Sequence, residues 1–71
     1  MYNKTMKIIL NGEEVLLEGK LNVASLIEKY SLDKRKIAVE RNLEIVPRSS
    51  FEEVMVDEGD RIEIIHFIGG G

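Results

Sequence analysis

Arg61-Ile62-Glu63-Ile64-Ile65-His66-Phe67-Ile68 is the stretch whose reading decides the fold. Alternation puts Ile62, Ile64 and His66 on one face of a strand, and Arg61, Glu63, Ile65 and Phe67 on the other. A strand with apolar residues on both faces reads as a central one. Met6-Lys7-Ile8-Ile9-Leu10 has the same character, with Met6, Ile8 and Leu10 on one face and Ile9 on the other. The first and last strands of the chain are therefore expected side by side at the middle of a sheet.

Working outward, Asn11-Gly12 is a strong two-residue hairpin signal. Glu13 to Glu18 returns as the second strand, with Val15 and Leu17 on one face and Leu16 on the other, until Gly19-Lys20 breaks it. Asn22 is a good helix N-cap. Val23, Leu26, Ile27 and Tyr30 follow at the spacing that lays one apolar stripe along two helical turns. The helix is expected to stop near Ser31, with Leu32 as an apolar anchor. Lys34-Arg35-Lys36 follows it, and cations near a helix C-terminus are favoured by its dipole.

Ile37 to Arg41 reads as a third strand and Glu44 to Val46 as a short fourth, joined through Asn42, which tolerates the left-handed conformation. Pro47 lacks a ladder donor and confines Ile45-Val46 to an edge or a strand end. Ser49 to Glu53 suggests one capped turn, with Phe51 closing an end of the core. Asp57-Glu58-Gly59-Asp60 has the composition of a turn. The order is β-β-α-β-β-β, an α+β domain with one helix packed on one face of a mixed sheet of four to five strands. With the outer two strands of the sequence parallel at the centre and the helix as a right-handed crossover, the arrangement is a β-grasp. Residues 6–68 form the domain, 1–5 a loose extension, and 69–71 a flexible tail of three glycines.

Composition narrows the function. The chain is 44% hydrophobic and 32% charged, too apolar for a disordered segment. It has no cysteine, which removes disulfides, thiolate metal sites and a cysteine nucleophile. A single histidine does not build a typical zinc site. A net charge of −3 argues against nucleic acid as a partner. No apolar run approaches the ~20 residues a membrane helix needs, and no signal peptide is visible, so a cytoplasmic location is expected.

The carboxylate pairs Glu13-Glu14, Glu52-Glu53 and Asp57-Glu58 fall in expected turns and polar faces, where solvated surface explains them. Ser49, Ser50 and His66 lack a third group or an oxyanion donor, so they do not read as a nucleophilic triad. His66 reads either as a rim residue of the core face or as a partner contact. The candidate chemistry lies instead at the C-terminus. Glycine has no side chain and tolerates conformations closed to other residues, so Gly69 and Gly70 can thread a narrow slot and present the carboxylate of Gly71. Beside them, Ile65 and Phe67, with Ile9 and Leu16, are expected to form an exposed apolar patch on the helix-free face, and Ile68 is expected to belong to the same partner-binding surface. Such patches mark partner surfaces.

Asn11-Gly12-Glu13, the capped Asn22-Val23-Ala24-Ser25-Leu26-Ile27 segment, Glu44-Ile45-Val46-Pro47-Arg48, Glu58-Gly59-Asp60-Arg61-Ile62-Glu63-Ile64 and the final Gly-Gly together resemble the ThiS sulfur carriers of thiamine biosynthesis, over Met6 to Gly71. Two positions depart from that pattern: Leu43 stands where glycine is common, and Phe51 where tryptophan is common. The resemblance implies a ubiquitin-like β-grasp fold and a non-enzymatic carrier that binds no cofactor itself. It implies that a ThiF-like adenylating enzyme uses ATP to activate the Gly71 carboxylate. A persulfide donor then converts it to a thiocarboxylate, and thiazole synthase takes the sulfur. The small subunit of molybdopterin synthase, another ubiquitin-like carrier or modifier, and a plain β-grasp binding module are the competing readings.

Overall fold

The computed structural model describes residues 5–67. Met1 to Lys4 of the expected extension, and Ile68 with the glycines 69–71, lie outside the described residues. Strands β1 (Thr5–Leu10) and β2 (Glu13–Glu18) pair antiparallel, with Leu10 opposite Glu13. The two turn residues between them, Asn11 and Gly12, have φ of 49° and 83°. Both signs are what a type I′ turn requires. Strand β1 starts at Thr5, one residue before the start expected from the hydrophobic alternation.

Helix α1 (Val23–Lys29) begins where the sequence places it. The Asn22 carboxamide oxygen accepts from the Ser25 N–H at 2.7 Å. Val23, Leu26 and Ile27 are buried, while Tyr30, the last residue of the expected stripe, caps the helix end and is exposed. The reason is the exit: Ser31 turns left-handed at φ 58°. Its N–H bonds the Glu28 carbonyl and that of Leu32 bonds the Ile27 carbonyl, the pattern of a Schellman cap.

After the helix come β4 (Ile37–Arg41), β5 (Glu44–Val46) and β7 (Arg61–His66). The sheet order is β2-β1-β7-β4-β5, with β1 and β7 parallel and every other pair antiparallel. This is the expected β-grasp, with five strands and β5 on an edge. A second, two-stranded sheet was not expected: β3 (Leu21–Asn22) pairs with β6 (Met55–Val56). At two residues each, these strands are too short to leave a periodic signal.

Lys34-Arg35-Lys36 also departs from expectation. Helix α1 ends at Lys29, and the three cations form their own 3-10 turn, capped by Asp33. They answer no helix dipole of α1. A second 3-10 turn spans Arg48–Ser50.

The core lies between the helix and one sheet face. Ile8, Leu26, Val39 and Ile62 are fully buried, and Phe51 closes one end as expected. Among the described residues no second layer covers the opposite face, so Leu16, Ile45 and Ile65 are exposed on it.

Candidate functional site

The site is the carboxyl end of β7 and what surrounds it. This strand is held on both flanks, but not by backbone alone. On one side Ile37 opposes His66, and beyond it the Phe67 N–H donates to the Lys36 carbonyl at 3.0 Å. On the other side β1 stops at Leu10, so Asn11 continues the ladder with both its backbone and its side chain. Its N–H donates to the Ile62 carbonyl at 2.9 Å, and its Oδ1 accepts from the Ile64 N–H at 2.8 Å. Asn42 does the same near the start of β7. Its N–H donates to the Arg61 carbonyl at 2.8 Å and its Oδ1 accepts from the Arg61 N–H at 2.9 Å. Two asparagines, read from the sequence only as turn formers, thus fix the strand that leads to the terminal glycines.

Asp60 anchors the base of the same strand. It is buried, and its carboxylate accepts from Arg41 Nε at 2.7 Å, the Asp57 N–H at 2.7 Å and Asn42 Nδ2 at 3.1 Å. Burial pushes this carboxyl up, but the Arg41, Asn42 and Asp57 donors outweigh it and hold the group below the usual carboxylate range. The sequence shows Asp60 only as a turn residue. Its place just before an apolar strand was the one available signal.

The expected patch divides in two. Ile65 and Phe67 are 49% and 59% exposed and share the helix-free face. Ala38 stands directly beside Ile65, and the exposed Ile45 pairs with Glu40, one step further along β4. Leu16 is exposed on the same face but pairs with Lys7, while Ile9 is half-buried beside Arg61. The cause is stagger. Arg61, not Ile65, neighbours Ile9, so β7 runs past the end of β1. At about 3.3 Å per residue, Leu16 and Ile65 stand about 20 Å apart along the strand direction. The structure therefore keeps Ile65 and Phe67 together beside Ala38, sets Ile45 beside Glu40 on the same face, and leaves Leu16 separate. Ile68 and Gly69, Gly70 and Gly71 lie outside the described residues.

His66 is exposed on the helix side of β7. It lines a groove of about 390 Å³ with Ile64, Leu10, Val15, Tyr30 and Leu32. Ser49 and Ser50 belong to the 3-10 turn after β5, and no described hydrogen bond links them to His66. Among the described residues no group of acidic and histidine side chains could hold a metal ion.

The model of the ThiS family matches residues 1–71. The chain belongs to the ThiS family. Among its relatives, the sulfur carrier protein ThiS of Bacillus subtilis is 38% identical over 63 residues, covering 87% of this chain and 96% of that one. A thiazole synthase of Paramagnetospirillum magneticum is 52% identical over 66 residues. That match covers 93% of this ThiS-family chain but only 20% of the synthase, so the chain spans about a fifth of that relative's length. A crystal structure of the thiamine biosynthesis protein ThiS from Geobacter metallireducens superposes with a TM-score of 0.81 at 32% identity, covering 93% of this chain and all of that one. No helix among the described residues is long and apolar enough to cross a membrane.

Proposed function

We propose that this chain is a sulfur carrier of thiamine biosynthesis, working through the α-carboxylate of Gly71. The observation that carries the reading is the family match through Gly71, on a fold whose last strand is pinned on both flanks up to the approach to the glycines. A rigid body with a side-chain-free end suits a group that must enter two different active sites. The carrier catalyses nothing and binds no cofactor of its own.

A ThiF-like adenylating enzyme joins the Gly71 carboxylate to AMP and releases pyrophosphate from ATP. The terminal sulfur of a persulfide donor then displaces AMP, and a thiol cleaves the resulting acyl disulfide to free the thiocarboxylate. Thiazole synthase consumes that sulfur. The segment like this chain within relatives named thiazole synthase supports the last pairing, because linking two partners raises their effective concentration. The exposed Ile65 and Phe67, with Ala38 beside Ile65, supply the apolar contact that holds a partner while the glycines enter its site. Residues 6–68 act as the docking body and 69–71 as the reactive arm. A cytoplasmic location belongs to the same reading, since ATP and persulfides are both at hand there.

The test is an intact mass after incubation with ATP, the adenylating enzyme and a persulfide donor. The carrier gains the mass difference of sulfur replacing oxygen, and a form lacking Gly71 does not. An unchanged mass, in an assay that loads the Bacillus subtilis carrier, overturns the reading.

A further inference from the structure

The cations of the first 3-10 turn have a place in the fold that a solvated surface run would not need. Lys36 lends its carbonyl to the Phe67 N–H at 3.0 Å, so this turn lies directly against the end of β7. Arg48, from the other 3-10 turn, donates from Nε to the Lys34 carbonyl at 3.0 Å. Two turns distant in sequence are thereby tied together around one end of the sheet. Lys34, Arg35, Lys36 and Arg48 are all exposed there. Arg35 is occupied by Asp33 at 3.1 Å. Among the described residues, Lys34, Lys36 and Arg48 have no carboxylate within 4.0 Å, although Glu28 and Glu52 line the same groove as Lys34. The whole chain carries −3. Three cations without a carboxylate in ion-pair range thus stand near the end of β7 on a chain that is acidic as a whole, with Glu13 in the neighbouring groove beside His66.

We infer that Lys34, Lys36 and Arg48 form a cationic collar that steers the carrier, glycines first, onto an acidic rim around the adenylating partner's entrance. The inference rests on the carrier reading above. A net acidic body is repelled by an acidic rim, and the three unpaired cations of the collar offset that repulsion where the chain leads on to Gly71. Charge complementarity of this kind acts mainly on the rate of encounter and is screened by salt. The collar adjoins the apolar residues Ile65 and Phe67, so a steered encounter ends on the surface that can hold it.

The experiment measures kcat/KM for adenylation of the full chain by the thiamine-pathway adenylating enzyme with ATP, from low salt to about 0.5 M, where screening is nearly complete. The Lys34→Glu/Lys36→Glu variant is expected to fall about tenfold or more at low salt and to converge on the wild type at high salt. Lys34→Gln/Lys36→Gln should fall less, and serves if the reversed charges perturb the fold. A matched reversal away from the collar, Lys20→Glu/Lys29→Glu, is expected to leave low-salt kcat/KM close to wild type. Wild-type values and salt slope in both collar variants overturn the collar while leaving the carrier intact. An equal loss in the Lys20→Glu/Lys29→Glu control reduces the effect to net charge and also overturns it. Failure of the wild type to be adenylated at any salt overturns the carrier reading and the collar with it.

Discussion

Arg41 Nε meets Asp60 Oδ2 at 2.7 Å, at the point where the last turn becomes the last strand. Arg41 ends β4 and Asp60 precedes β7, so one ion pair fixes the register of two neighbouring strands. The Asp60 side chain is almost wholly enclosed, at 7% exposure, while the Arg41 side chain keeps a third of its surface in water. A buried acceptor with several donors is costly to disturb, because each donor left behind is unsatisfied.

Asp60→Asn is expected to cost about 1–3 kcal/mol of stability at neutral pH. The pH dependence has a definite sign. The folded Asp60 carboxyl is held below its ordinary value of 3.8 by Arg41, Asn42 and the Asp57 N–H, against burial. Its contribution is thus complete above that value and is lost as pH falls through the lower, folded one. Chemical denaturation from neutral pH down to strong acid should show the wild type losing stability over that window. Asp60→Asn should show a flatter acid limb. An identical acid limb in both proteins would refute the role given to Asp60.

Leu43→Gly is expected to stabilise the protein. Asn42 and Leu43 occupy the β4–β5 turn with φ of 54° and 73°. A left-handed residue other than glycine costs roughly 1–2 kcal/mol, and Leu43 is 78% exposed, so its side chain returns little packing. Glycine gives back part of that through the freedom of the unfolded chain. A net gain of about 0.5–1 kcal/mol remains, read as a higher urea midpoint at unchanged slope.

Asn11→Gly keeps the hairpin turn but removes the acceptor for the Ile64 N–H. A loss of about 1 kcal/mol follows from one net hydrogen bond. Hydrogen exchange resolves it from a general loosening: the Ile64 amide should lose more protection than amides of the β1–β2 hairpin.

Most of the fold was legible because its long elements carry strong periodic signals. The Ile8, Ile62 and Ile64 alternation and the Val23, Leu26, Ile27 stripe each report one buried face. What escaped reading has a common physical origin. The β3–β6 pairing, the Asp60 cluster and the carboxamide bonds of Asn11 and Asn42 each join residues distant in sequence. No local pattern encodes such a bond. The apolar patch failed to be contiguous for a related reason. Alternation assigns Leu16, Ile9 and Ile65 to one face, but only the parallel register says how far apart they stand. The proposed reactive end, Gly69-Gly70-Gly71, is a reading of the glycine run alone and lies outside the described residues.

The division of the apolar face gives the last prediction. Phe67→Asp and Ile65→Asp alter side chains that are about half exposed, and neither belongs to the buried core. Each should leave the unfolding midpoint within about 0.5 kcal/mol of the wild type, as surface substitutions usually do. If Ile65 and Phe67 form the centre of the docking contact, each variant should raise the KM for adenylation about tenfold or more, the scale of truncating a central interface residue. Leu16→Asp exposes the same chemistry on the same face, but about 20 Å away along the strands. It should therefore adenylate like the wild type. Equal losses in Leu16→Asp and Phe67→Asp would mean that the partner covers the whole sheet. A Phe67→Asp protein that unfolds would mean that Phe67 is a core residue, contrary to its 59% exposure.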